Sequence, residues 1–337
     1  MDSKDVKRKM NQDKPYAIGI DLGGTKIIAA IVDEHGNILR QANAATQTEE
    51  AAQAVIGRIG DLVQTVLDES GINLSRIRGI GIATAGIIDT QRQMVIFASN
   101  LNWSDVPIGA ILQERFGVAV QLINDANAAA VAEWAFGSAR GTKDLIYVTV
   151  STGVGAGIIS GGRLITGVGD SAGEFGHISL DPEGPLCVCG NRGCLENYTS
   201  GLALASRARE QLLQGATSSL LVENGNDLSR ITAKEVGEAA VRGDLLSMTL
   251  MKEAGYYLGV GLTNLIHLFN PQVIVMGGGV MKNGQLLLAE AKNVIRERSI
   301  SRMANQASIQ LTTIGAEAGV LGAAGMYYPS EREMVEV

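Results

Sequence analysis

Cysteine is almost absent from this 337-residue chain, and the three that occur fall within eight positions, Cys187, Cys189 and Cys194. That clustering excludes a disulfide framework spread through the fold and points to metal-ligand spacing in a reducing compartment. Proline is also scarce, 6 residues against 42 glycines, so the chain relies on glycine for its tight turns and close backbone approaches. Positive charge is in deficit: net charge is −7 and pI about 5.2, which argues against a basic nucleic-acid face. The charged, polar start, Met1 to Pro15, has no apolar stretch of the secretory kind and reads as a solvated tail. Residues 255–281 lack Asp, Glu, Lys and Arg, but Asn264, His267, Asn270, Pro271 and Gln272 interrupt them. Proline would break a membrane helix there, so the stretch reads as a buried helix followed by a buried strand.

Apolar residues make up 46% of the chain, enough for one large core or two ordinary ones. Residues 16–22, 27–32 and 38–44 alternate as strands around the turns Gly23-Gly24-Thr25-Lys26 and Glu34-His35-Gly36-Asn37. A helix is expected over 49–69, then strand 78–84, helix 107–116, strand 119–123 and helix 126–136. The second half opens in the same way, with strand 145–150, the turn Ser151-Thr152-Gly153-Val154-Gly155, Ile158-Ile159, Gly161-Gly162 and Leu164-Ile165. A capping box at Thr232–Glu235 and a long helix from about 244 to 269, capped by Asp244, follow. Strand 272–276, helix 284–297, strand 309–314 and helix 316–327 close the chain. The halves share one order, so the architecture is duplicated, and neither is a Rossmann unit because both glycine turns lead into a second strand rather than a helix.

Four places have chemical content. The turn Asp21–Lys26 can present backbone N–H groups to phosphate, with Asp21 toward a magnesium ion and Thr25 toward a phosphate; an ordinary hairpin turn is the competing reading. Ser151–Gly155 is a matching turn in the second half, and the pairing favours a polyphosphate chain. Asn124-Asp125 ends an apolar strand before an alanine-rich helix. Asp125 is either the helix N-cap, which leads on this segment alone, or a general base at a strand end. Gly277-Gly278-Gly279 follows a buried strand, where a flat ring can lie close to the backbone or the chain can simply turn. His177, ten positions before Cys187, completes a Cys3His set, one of the forms of a closed, structural zinc site. His35 and His267 read as a surface and a core histidine.

Together these motifs resemble the ROK family (repressors, open reading frames and sugar kinases) over about residues 16–327. The match is carried by Val150–Ile158, Gly167, Gly173 and Gly176-His177, and by Cys187-x-Cys189-Gly190-x-x-Gly193-Cys194-x-Glu196. The resemblance implies an α/β, two-domain actin-like ATPase (ribonuclease H-like) fold with duplicated βββαβαβα halves, an interdomain cleft and a zinc-bound insertion. The expected divisions are a disordered tail at 1–14, a small domain of 15–128 plus 317–337, and a large domain of 129–316 carrying the zinc segment 173–196.

It also implies an ATP:hexose 6-phosphotransferase acting in the cytoplasm, most like the family's glucokinases, with N-acetylmannosamine kinase and fructokinase as alternatives. A sugar-responsive repressor is disfavoured by the acidic charge and by the roughly fifteen residues before the first strand. The implied ligands are ATP, catalytic Mg2+, structural Zn2+ and a hexose, with no nucleic-acid or membrane partner, in a homodimer. Asp21, Gly23, Gly24, Thr25 and Lys26 match the first phosphate motif; Thr152, Gly153 and Gly155 match the second; Gly277, Gly278 and Gly279 lie near adenosine. Asp125 matches the catalytic base. Asn100, Asn124, Glu174, His177 and Glu196 match sugar ligands, and His177, Cys187, Cys189 and Cys194 the zinc ligands. Ala85-Gly86-Ile87-Ile88-Asp89 departs from the family's usual Pro-Gly at a loop near the sugar.

Overall fold

The computed structural model describes residues 14–328; the expected tail at 1–14 lies outside the described residues, apart from Lys14. Two five-stranded sheets carry the fold. The first contains β1 (Tyr16–Leu22), β2 (Lys26–Asp33), β3 (Ile38–Ala45), β4 (Ile77–Thr84) and β8 (Ala119–Asn124), in the order β3-β2-β1-β4-β8. The second contains β9 (Leu145–Val150), β10 (Val154–Ser160), β11 (Arg163–Leu164), β12 (Val273–Gly277) and β13 (Ser308–Leu311), in the order β11-β10-β9-β12-β13. Each half therefore places its strands 3-2-1-4-5, the duplication expected from the repeated order of elements. In each half the central strand pairs in parallel with the fourth: β1 with β4, and β9 with β12.

The described residues form two compact units, one of 14–142, 157–172 and 312–328, the other of 143–156 and 173–311. The boundary differs from the expected 128/129. The helix Asp125–Ala135 belongs wholly to the first unit, because it packs on the helix Ala318–Gly325: a Cβ on Gly322 would lie 1.8 Å from the Ala128 carbonyl oxygen.

The first unit is organised by the two faces of β1. Ile18, Ile20 and Leu22 point to one side, into a core with Ile80, Ile82 and Val55, Ile59, Val63 and Val66 of the helix Ala52–Ser70. Each fully buried isoleucine contributes about 1.5–3 kcal/mol. The alternate residues, Ala17, Gly19 and Asp21, face the other way, as the strand period of two requires. Their small size lets the backbone of the helix Ala318–Gly325 approach the sheet. A Cβ on Gly19 would lie 1.9 Å from the Val320 carbonyl oxygen, and one on Gly81 of β4 2.0 Å from that of Ala323. A third sheet, β5 (Ile87–Asp89), β6 (Met94–Ala98) and β7 (Trp103–Val106), lies between β4 and β8 in sequence. Its strands are too short for their periodicity to stand out in the residue pattern.

In the second unit the helix Leu245–Phe269 is capped by Asp244, whose carboxylate accepts the Ser247 N–H at 2.9 Å. It stops at Asn270 in the left-handed region, just before Pro271. The Thr232–Glu235 capping box also forms. Among the described residues no helix is long and apolar enough to cross a membrane.

Two glycine substitutions should have opposite signs. Gly81→Ala forces a methyl group against the Ala323 carbonyl and lowers stability by about 1–3 kcal/mol. Gly57→Ala, mid-helix with nothing within 4 Å of the new Cβ, raises it by about 0.5–1 kcal/mol. Denaturant midpoints at unchanged m-value check both; a neutral Gly81→Ala would contradict the close sheet–helix packing.

Candidate functional site

In the first unit, β1, β4 and β8 run parallel and end at one level, with Leu22 opposite Thr84 and Thr84 opposite Asn124. Carboxyl ends of parallel strands are where α/β sheets present functional groups, and Asp21 and Asp125 both arrive there. The alternation of β1 puts Asp21 on the face of the helix Ala318–Gly325, and a Cβ on Gly319 would lie 2.5 Å from the Asp21 carboxyl carbon. The glycine turn beyond Asp21 is closed by Gly23 N–H donating to the Lys26 carbonyl at 3.1 Å, and is braced by Thr46 Oγ1 donating to the Gly23 carbonyl at 2.6 Å. Asn100 reaches this turn through its backbone: a Cβ on Gly24 would lie 2.7 Å from the Asn100 carbonyl oxygen.

The structure settles who caps the helix after β8. Asn124 does: its Oδ1 accepts the N–H groups of Ala126 at 3.0 Å and Asn127 at 3.4 Å. The N-cap reading of Asp125 is thereby corrected, because Asp125 is already the first helical residue. One oxygen of Asp125 accepts the Ala126 N–H at 2.8 Å, and its side chain has a solvent-exposed edge.

These two carboxylates are electrostatically uncomfortable. Burial first, then the charge of Asp125, pushes the Asp21 pKa up to about 6, with Lys26 pulling the other way. Surrounding protein mass raises the Asp125 pKa despite its exposed edge, while the Ala126 N–H opposes that rise. Lys26 acts on Asp21 alone, and the two carboxylates suit a divalent ion of the Mg2+ type, which takes one or two carboxylates and keeps its remaining sites for water and phosphate.

In the second unit, His177, Cys187, Cys189 and Cys194 offer four ligand atoms that all lie within 4.8 Å of one another, and the cysteines are free. Tetrahedral zinc, with bonds of about 2.3 Å to sulfur and about 2.0 Å to nitrogen, has S–S edges of about 3.8 Å and S–N edges of about 3.6 Å. Here Cys189 Sγ is 3.7 Å from Cys194 Sγ, and Cys187 Sγ is 3.6 Å from His177 Nδ1. Without a cation, burial and the neighbouring sulfurs push the Cys194 thiol up to about 12. The geometry fits a closed metal site. The peptide folds around it through a bridge between Ser179 and Cys194 and another between Leu186 and Arg192, with Gly190 at φ 90° where the knuckle reverses. Since Nδ1 faces the cluster, Nε2 points outward, 3.9 Å from Glu174 Oε2.

Glu196 also meets the backbone of the second glycine turn. Its Oε2 accepts the Val154 N–H at 2.9 Å, so it sits on the glycine turn between β9 and β10. That turn is held from its carbonyl side, with Gly201 N–H donating to the Ser151 carbonyl at 2.7 Å and Leu202 N–H to the Thr152 carbonyl at 3.3 Å. Gly277 to Gly279 lie beside it: Gly278, at φ 94°, packs against Val150, and a Cβ on Gly279 would have only Ser151 Oγ within 4 Å, at 3.8 Å.

The other two histidines are not ligands. His267 Nε2 accepts the Ile300 N–H, and His35 lies exposed beside Glu34. Two residues escaped the sequence reading. Thr84 is buried at the end of β4 between the two acidic strand ends; its place at the end of an apolar run was a usable signal. Glu133 is completely buried, and its carboxylate accepts from Ser138, Thr312, Thr313 and Ile314; a second acid within an alanine-rich helix marked it. In the variant loop Gly86 adopts φ 106°, and a Cβ there would lie 2.4 Å from the Phe97 carbonyl oxygen.

The ROK family profile matches residues 17–328. This chain belongs to the ROK family. The glucokinase of Halalkalibacterium halodurans is 33% identical over 320 residues, covering 95% of this chain and 97% of that protein. The xylose repressor of Caldicellulosiruptor bescii is 32% identical over 318 residues, covering 94% of this chain and 79% of the repressor. A crystal structure of a ROK family glucokinase from Streptomyces griseus, in complex with glucose and AMPPNP, shares 36% identity at a TM-score of 0.76, covering 92% of this chain and 98% of that one. The ROK chain described here thus has the actin-like ATPase fold of the family's kinases.

The strain on Asp21 has a measurable consequence. A carboxyl whose pKa is raised from 3.8 to about 6 by folding binds protons more tightly in the folded state. Stability from this group is full below pH 3.8 and lost as pH rises through about 6. Asp21→Asn should therefore stabilise the metal-free protein at pH 8 by about 1–3 kcal/mol and have little effect near pH 4. Thermal melts at both pH values check this; equal effects at the two would contradict it.

Proposed function

We propose that this ROK protein is an ATP-dependent hexose kinase that transfers the γ-phosphoryl group of ATP to the 6-hydroxyl of a hexose, with glucose as the preferred sugar. The observation that carries the reading is the division of labour at the end of β8. Asn124 takes the capping role, and Asp125 is left as a carboxylate at a strand end, within electrostatic range of Asp21. A general base needs that placement and a raised affinity for protons. The identities to glucokinases and the complex of the Streptomyces griseus enzyme with glucose and AMPPNP support the substrates.

The chemistry follows from phosphoryl transfer. The sugar's primary hydroxyl gives its proton to Asp125 while its oxygen forms a bond to the γ-phosphorus, and the bond from that phosphorus to the β,γ-bridging oxygen breaks to leave ADP. Bound Mg2+, held at Asp21, supplies positive charge to the phosphates. In the first unit the Gly23–Thr25 turn with Lys26, and in the second unit the Thr152–Gly155 turn, each suit phosphate oxygens through backbone N–H groups and charge. Gly277 to Gly279 form a flat approach for the adenosine. Asn100 and Asn124 in the first unit, and Glu174, His177 and Glu196 in the second, each suit sugar hydroxyls. The Cys187, Cys189, Cys194 and His177 set would hold zinc, and the His177 ring would then be fixed in one orientation and tautomer. Thiols kept free for that metal suit a cytoplasmic enzyme.

The xylose repressor relatives cover the same residues, which favours a second reading: a sugar sensor without turnover. A coupled assay of ADP release over glucose, N-acetylmannosamine, mannose, fructose and allose separates the two. The kinase reading expects sugar-dependent ADP release with the highest kcat/KM for glucose; none with any sugar would favour the sensor. Asp125→Asn should lower kcat by about 100- to 10,000-fold while sugar affinity, measured by calorimetry, stays near that of the unaltered protein. Near-normal turnover would remove Asp125 from the role of base.

A further inference from the structure

The Ser151–Val154 turn already holds an anion, and the anion belongs to the protein. Glu196 Oε2 accepts the Val154 N–H at 2.9 Å, and a Cβ on Gly153 would lie 2.5 Å from that same oxygen. The carboxylate therefore rests directly on the glycine of the turn. Successive backbone N–H groups in such a turn form a nest for anions. Ser151 N–H is used within the turn, donating to the Gly153 carbonyl at 2.9 Å, and Val154 N–H is used by Glu196. A phosphate oxygen approaching this nest would meet a carboxylate in possession of one donor and carrying the same sign of charge.

We propose that Glu196 gates the nucleotide site: with no sugar bound its carboxylate occupies the anion nest of the second glycine turn, and a hexose hydroxyl draws it away. This rests on the hexose-kinase reading above and assigns Glu196 a second role within it. The backbone at Glu196 is fixed, since it lies two residues after Cys194 and begins the short helix Glu196–Thr199, so the change is a rotation of one half-buried side chain. A sugar hydroxyl is a hydrogen-bond donor and satisfies the carboxylate in place of Val154 N–H. The freed nest then accepts phosphate. A carboxylate in the nest disfavours ATP while the sugar site holds only water, which suppresses transfer of the γ-phosphoryl group to water.

The test is calorimetric binding of Mg-AMPPNP to the zinc-loaded full-length protein, with and without saturating glucose, for the unaltered chain and Glu196→Gln. Glutamine keeps an oxygen for the Val154 N–H but loses the charge and gains an NH2 donor, so its weaker, neutral hydrogen bond yields to phosphate. The proposal expects nucleotide to bind the unaltered protein about 10-fold more weakly without sugar than with it. It expects Glu196→Gln to bind nucleotide without sugar about as tightly as the unaltered protein does with sugar. Equal nucleotide affinity with and without sugar in the unaltered protein overturns the gate, and that result does not depend on the variant folding. Nucleotide affinity unchanged or weakened in sugar-free Glu196→Gln also overturns it, since Glu196 would then be a brace for the turn. Failure of the kinase reading appears separately, as ADP release that no sugar stimulates.

Discussion

Four ligand atoms within 4.8 Å of one another are the constraint on which the second unit depends. The segment from Thr166 to Leu195 has no strand longer than an isolated bridge and only one short 3-10 turn, Phe175–His177. Such a segment is held by turns and isolated bridges rather than by a helix or strand ladder, and a metal bound at the cluster would add a cross-link. The cluster fixes two positions at once. Upstream, His177 turns its Nε2 toward Glu174; downstream, Cys194 delivers Glu196 to the glycine turn of β9 and β10. Three sulfurs held this closely would repel one another as thiolates, so without a cation Cys194 keeps its proton, and a bound cation would favour the thiolate forms.

The first unit reaches a comparable result without a metal cross-link. A row of small residues on one face of β1 admits the backbone of the helix Ala318–Gly325, and the same alternation carries Asp21 to the end of that row. Rigid strands then hold Asp21 and Asp125 close enough for one charge to raise the pKa of the other. Folding energy from the isoleucine core on the opposite face offsets this unfavourable pairing. Both units therefore hold like-charged groups together at the places where cations and phosphates are expected to bind.

Most of this was readable from residue patterns. The duplicated strand order followed from two glycine turns that each lead into a second strand, and the structure repeats it as 3-2-1-4-5 in both sheets. The helix ended by Asn270 and Pro271 was legible because cap and breaker chemistry is local. The three short strands between Ile87 and Val106 were not, since three to five residues carry too little periodicity. The unit boundary was also hidden: helix Asp125–Ala135 is assigned by a backbone contact at Gly322, nearly two hundred residues away in sequence. At the site, ligand types were plain from the motif. The capping role of Asn124 and the position of Glu196 on the second turn were not, because both are choices between neighbouring donors that only three-dimensional distances decide.

The central claim is that the Cys3His cluster, filled by zinc, orients the residues that read the sugar. Calorimetric titration of glucose into zinc-loaded protein, and into protein verified to be zinc-free and still folded by circular dichroism, tests it most directly. The account predicts that removing zinc weakens glucose binding about 10-fold or more; the same affinity in both forms would contradict it.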